Sequence, residues 1–115
     1  YRGELLPEDR YEDWCILERE RYKDNYVQIL LKIGKYYYGI QELEKAVTYY
    51  KKVLYQEPVA EMAIQGLMQC LIKLNRRNEA LSYYLKFEQE LKSEFDAQPE
   101  EETRIIYERI LKSFK

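Results

Sequence analysis

Two stretches of the chain carry the same residue classes 34 positions apart, and this period constrains the fold more than any other feature. Leu30, Ile33, Gly34, Tyr37, Ala46, Tyr50, Val53 and Pro58 are answered by Ile64, Leu67, Met68, Leu71, Ala80, Tyr84, Phe87 and Lys92. Only Lys92, in the proline slot, departs from the apolar, aromatic or small character of the set. Self-similarity at such a period marks a unit that cannot bury its apolar face alone and must stack on a neighbour.

Within each copy the spacing is helical. An alanine at the twentieth position with an aromatic four residues later is the spacing of a tetratricopeptide helix pair. Strand signals are almost absent, and the few glycines and prolines fall mostly at joints. The first long helix is expected from near Asp9, with Cys15, Tyr22, Tyr26, Leu30, Ile33 and Tyr37 on its buried face and Gly39 as its stop. A second is expected from about Gln41 to Tyr55, with Leu43, Ala46, Val47, Tyr50 and Leu54 inward. Pro58 is expected to open a third, ending near Leu74. Asn78 is the expected N-cap of a fourth, which runs to Phe95. Pro99 starts a fifth, whose apolar stripe is Ile106, Tyr107, Ile110, Leu111 and Phe114. Short connections force neighbours antiparallel, and Ala46 and Ala80 mark where paired helices cross closely. The expected fold is all-α: one domain over residues 1–115, a tetratricopeptide-like right-handed stack of about five helices. It holds two repeats, an N-terminal brace and a C-terminal cap helix.

Composition excludes several functions. Charges balance to −2 with a pI near 5.4, whereas gripping phosphates needs a basic face. With no histidine, no nucleophile beside a base, no phosphate loop and no metal-ligand spacing, neither catalysis nor a metal or other cofactor is expected. Acidic runs such as Glu100, Glu101 and Glu102 read as first-turn acids facing the helix dipole. Cys15 and Cys70 are expected to be buried thiols of a cytoplasmic protein. No membrane span or leader is evident, and a start at Tyr1 without Met predicts a segment of a longer protein.

Several segments resemble a known family in order and spacing. They are Tyr1-x-Gly3-Glu4-Leu5-Leu6-Pro7, Tyr11-x-x-Trp14 with Arg19 and Arg21, Glu57-Pro58-x-x-Glu61, and Gly66-Leu67-Met68. Later come Glu79-Ala80-Leu81-x-x-Tyr84, Leu91-x-x-Glu94-Phe95-x-x-x-Pro99, Thr103 and Tyr107. Together they resemble the bacterial transcriptional activator domain, the tetratricopeptide-like module of Streptomyces antibiotic regulatory protein-type regulators. In that family the module follows a winged-helix DNA-binding domain. The resemblance implies a regulatory protein-contact role in a transcription activator. Implied partners are the adjacent DNA-binding domain, a second copy, or the transcription machinery. Asp96 stands where the family tends to have glycine, although aspartate tolerates a helix-ending conformation better than most residues. A free-standing peptide-binding adaptor is the alternative. An exposed apolar patch on the first helix would favour the first reading.

Transferring tetratricopeptide geometry gives a candidate partner groove on the leading helices: Gln28, Leu31, Lys35, Tyr38, Met62, Gln65, Gln69 and Lys73, with Ile72 beside them. This surface is mixed and mildly basic, suited to an extended peptide or a helix. It lacks the Lys and Asn arrangement that clamps a C-terminal carboxylate. Trp14 and Arg19 are candidates for packing the start of the chain or for docking the preceding domain.

Overall fold

The computed structural model describes the backbone of residues 8–113 and the side chains of residues 20–113. Five helices follow in order: α1 (Glu8–Gly39), α2 (Leu43–Gln56), α3 (Glu61–Lys73), α4 (Arg77–Phe95) and α5 (Glu101–Lys112). No strand occurs among the described residues. Each helix packs on the next, and α3 also touches α1 and α5. The leading helices α1, α3 and α5 therefore form one layer, and the trailing helices α2 and α4 the other, as the repeat requires.

Ala46 and Ala80 have no exposed surface, in keeping with close helix crossings. At the centre of the stack sits the Tyr50 ring, wedged between two helices. A Cβ on Gly34 of α1 would lie 3.1 Å from the ring, and one on Gly66 of α3 only 2.4 Å. Both glycines thus make room for one aromatic side chain from α2. Tyr84, the repeat partner of Tyr50, stacks instead on Tyr107 of α5, with centroids 4.1 Å apart and planes 10° from parallel.

The period also governs the turns. Gln41 and Asn75, 34 residues apart, both take left-handed conformations, with φ of 64° and 63°. At the first turn the Gln41 and Glu42 N–H groups donate to Tyr38 and Tyr37 carbonyls; at the second, Asn75 and Arg76 donate to Ile72 and Leu71. This is the paired bonding of a Schellman motif, which satisfies the last carbonyls of a helix. Gly39, expected as the stop, is the last helical residue of α1 instead, and Gln41 carries the positive φ. Asp96 ends α4 in the left-handed region, at φ 51°.

Two helix starts differ from expectation. Pro58 does not open α3: the Ala60 N–H donates to the Glu57 carbonyl, so Pro58 takes the second position of a β-turn, which its fixed φ favours. Asn78 is not the N-cap of α4; Arg76 is. None of α2 to α5 has a side-chain cap bond, yet each carries a glutamate in its first turn, where the helix dipole favours negative charge.

The largest correction concerns α1. Tyr22 and Tyr26, expected inward, are 70% and 46% exposed, while Val27, Leu30, Leu31 and Gly34 are buried. At 100° per residue, the centre of the second set lies about 110° around the helix from that of the first. The inward positions of α2 also shift: Ala46, Val47, Tyr50 and Val53 are buried, with Leu43 and Leu54 only partly so. On α5, Ile106 and Ile110 are buried as expected, Leu111 is exposed, and Phe114 lies outside the described residues.

Candidate protein-contact site

The leading-helix face is held together across the repeats by one contact between candidate residues. Lys73 of α3 places its Nζ 4.7 Å above the ring of Tyr38 of α1, a cation–π arrangement worth about 0.5–1 kcal/mol when exposed. Gln28, Lys35, Met62 and Lys73 are exposed, and Tyr38, Gln69 and Ile72 are half-buried. Leu31 is not available to a partner: it is only 8% exposed and belongs to the core. The helix turns it towards the packed side along with Leu30 and Val27. Trp14 and Arg19 lie outside the described side chains.

Gln65 is half-buried and already engaged within the chain. It donates to Thr103 Oγ1 of α5 at 2.9 Å, and Thr103 donates in turn to Glu61 Oε1 at 2.6 Å. Glu61 Oε2 also accepts the backbone N–H of Glu100 at 3.3 Å. Thr103 has no exposed surface, and buried hydroxyls need such partners. Periodicity missed this polar knot, because a threonine among glutamates reads as a solvated helix start. The resemblance had placed Glu61 and Thr103 in the pattern without saying why.

Beneath the face lies a quiet chemical environment. Burial pushes the Tyr50 hydroxyl up to about 12, helped by neighbouring Cys70 and Tyr38. Burial also raises the Cys70 thiol to about 11, against the opposing charge of Lys73. A protonated, fully covered thiol is a poor nucleophile. Among the described residues no cluster of metal-ligating side chains occurs, and no helix is long and apolar enough to cross a membrane.

Elsewhere, Arg76 ties the turn before α4 to two helices. Its Nε and Nη2 donate to both Glu79 oxygens at 3.0 and 2.8 Å, and Nη1 donates to Glu44 of α2 at 3.1 Å. The Arg76 hydrogen bonds hold the Glu79 carboxyl below its usual range. Where the trailing helices meet α3, a cleft of about 350 Å³ is lined by Leu54, Tyr55, Pro58, Tyr83, Lys86 and Phe87 among others. Its residues come from three segments, so no single helical period signals it.

Neither a curated protein nor a solved structure matches the chain. Among protein families, the bacterial transcriptional activator domain matches residues 1–111, nearly the whole sequence. That domain is a regulatory, tetratricopeptide-like helical one associated with transcription activators and not an enzyme family. By this match and by its fold, the chain belongs to the bacterial transcriptional activator domain family.

Proposed function

We propose that residues 1–115 form one regulatory unit of a cytoplasmic bacterial transcription activator, acting through protein contacts. In this reading the stack positions a neighbouring winged-helix DNA-binding domain, which supplies the DNA contact that a domain of net charge −2 does not. The leading-helix face presents Gln28, Lys35, Met62 and Lys73 to that partner. The observation carrying this reading is the Tyr38–Lys73 contact, which joins α1 and α3 so that the two helices offer one surface. A partly exposed tyrosine such as Tyr38 suits recognition, since an aromatic ring brings area at low entropic cost.

The test is calorimetric titration of the 115-residue chain with the winged-helix segment of its parent protein. Tyr38→Ala combined with Lys73→Glu should leave the melting temperature within a few degrees and weaken binding about tenfold or more. Unchanged affinity would clear this face of involvement. Binding to unrelated extended peptides, with none to the winged helix, would place the chain with the free-standing adaptors instead.

A further inference from the structure

The stack makes one kind of cleft twice. Lys51, Leu54 and Tyr55 of α2 line the first, of about 350 Å³. Their counterparts on α4, 34 residues further on, are Leu85, Glu88 and Gln89, and all three line a second cleft where α4 meets the segment entering α5. Glu88 and Gln89 thus stand where the first cleft has Leu54 and Tyr55. Both are exposed, so the trailing helix does not itself require an apolar pair at these positions. Tyr55 is 86% exposed, too open for packing to explain a large ring at the mouth of the first cleft.

Floor and rim of the first cleft differ in character. Ile64 and Phe87, both buried, form its floor, and Pro58 closes one end. Tyr83 forms the α4 wall, with Lys51 Nζ 5.3 Å above its ring. Lys51 in turn donates to Glu79 Oε1 at 3.4 Å, so its charge is matched within the chain. Two charges on the rim are not. Lys86 and Glu90, one turn apart on α4, make no ion pair with each other or with any other described residue. Glu90 is half-buried, and a carboxylate in that setting gains from a donor. An apolar floor with one free ammonium and one free carboxylate at its edge complements a zwitterion that carries a bulky apolar group. The volume lies near the lower end of the ~300–1,000 Å³ of small-molecule sites, whereas a stable protein interface needs ~800 Å² on each partner.

We propose that this cleft binds a free amino acid with a large apolar side chain, of the leucine or phenylalanine kind. The side chain lies against Leu54, Ile64 and Phe87, with the Tyr55 ring beside it. Lys86 holds the carboxylate and Glu90 the ammonium. The site lies on the trailing helices, away from Gln28, Lys35, Met62 and Lys73 of the leading face, so it does not depend on winged-helix docking.

Titration of L-phenylalanine into the isotope-labelled chain, followed by amide chemical shifts, tests it. The shifts should saturate with a Kd of about 1 mM or tighter, centred on Tyr55, Tyr83, Lys86 and Glu90. Phenylpropanoate, which lacks the ammonium, and phenethylamine, which lacks the carboxylate, should each bind at least tenfold more weakly. Lys86→Gln should weaken L-phenylalanine at least tenfold and leave phenethylamine unchanged; Glu90→Gln should weaken L-phenylalanine and leave phenylpropanoate unchanged. Tyr55→Ala should weaken all three ligands without lowering the melting temperature, since its ring is exposed. Lys92→Gln, in the second cleft, should change nothing. No saturation up to about 20 mM would overturn the inference. So would shifts confined to the leading face. Equal binding of N-acetyl-L-phenylalanine amide, which carries neither charge, would also overturn it and give the cleft to a side chain of a partner protein.

Discussion

Replacing Gly66 with alanine probes the contact at the middle of the stack. In an unconstrained helix interior the change stabilises by up to about 1 kcal/mol, because alanine loses less backbone entropy. Here the new Cβ would lie 2.4 Å from Tyr50 Cζ and 2.7 Å from both Cε1 and Cε2. Comfortable carbon contact begins near 3.5 Å, so the overlap is about 1 Å. Three ring atoms are involved at once, so spinning the ring does not clear the methyl. On its other side a Cβ on Gly34 would lie 3.1 Å from the ring, so the Gly34 backbone leaves the ring little room to retreat. Overpacking of this kind costs about 1–3 kcal/mol, and the double confinement puts Gly66 at the upper end. After the helix-propensity gain, a net loss of about 2 kcal/mol remains, or roughly 10 °C in melting temperature for a domain of this size. The control is Gly39→Ala, where nothing lies within 4 Å of the new Cβ; it should be neutral to stabilising by up to about 1 kcal/mol. Gly34→Ala should fall between the two. Urea unfolding followed by circular dichroism ranks all three. In a Tyr50→Leu background the Gly66→Ala penalty should shrink, giving a coupling of about 1 kcal/mol or more. A Gly66→Ala protein as stable as Gly39→Ala would refute the wedge.

Ala80→Arg should abolish the cooperative thermal transition, since a fully buried position at a helix crossing has no space for a charged side chain; a wild-type melt would contradict the repeat register. Gln41→Gly should stabilise by about 0.5–1 kcal/mol, because glycine takes φ of 64° without the Cβ penalty; a lowered urea midpoint would count against it. At high pH the fold should weaken progressively. Tyr50 and Tyr84 are raised from 10.0 to about 12 and Cys70 from 9.0 to about 11, each chiefly by burial. The folded state keeps these protons longer than the unfolded chain, so stability is intact below pH 9 and declines from there towards pH 12. Tyrosinate absorbance and helicity should therefore change together. Full ionisation of all tyrosines near pH 10 with helicity intact would show the two rings to be accessible.

The sequence made the repeat legible because period and side-chain size leave little freedom: Ala46, Ala80, Tyr50 and Tyr84 fell where a 34-residue helix pair needs them. The turn at Asp96 was legible for a local reason, the tolerance of aspartate for left-handed backbone. The rotation of α1 was not. That helix has two apolar stripes, one through Val27, Leu30 and Gly34 and one through Tyr22, Tyr26 and Ile29, and periodicity alone gives them equal standing. Only the placement of α2 decides between them, which also explains why Leu31 was misassigned to the groove. The tie between Gln65 and Thr103 was hidden for another reason, since it joins residues 38 positions apart through hydrogen bonds that leave no hydrophobic pattern. Helix starts were shifted because first-turn glutamates, rather than capping side chains, mark them.

The Glu61–Thr103–Gln65 knot also sets the order in which the molecule comes apart. In a stacked array each layer is stabilised by its neighbours, and a terminal layer has fewer of them. Among the described residues α5 is the last helix of the stack and packs on α3 and α4, fastened by these hydrogen bonds, by Ile106 and Ile110, and by the Tyr84–Tyr107 stack. Hydrogen bonds contribute only about 0.5–1.5 kcal/mol each, so α5 detaches at a lower free energy than the central pair of α2 and α3. In the 115-residue chain its amide protons should accordingly exchange with solvent through a partial opening, ahead of global unfolding. Each such opening frees Gln65 and Glu61, so the length of exposed leading-helix surface follows the equilibrium of the last helix.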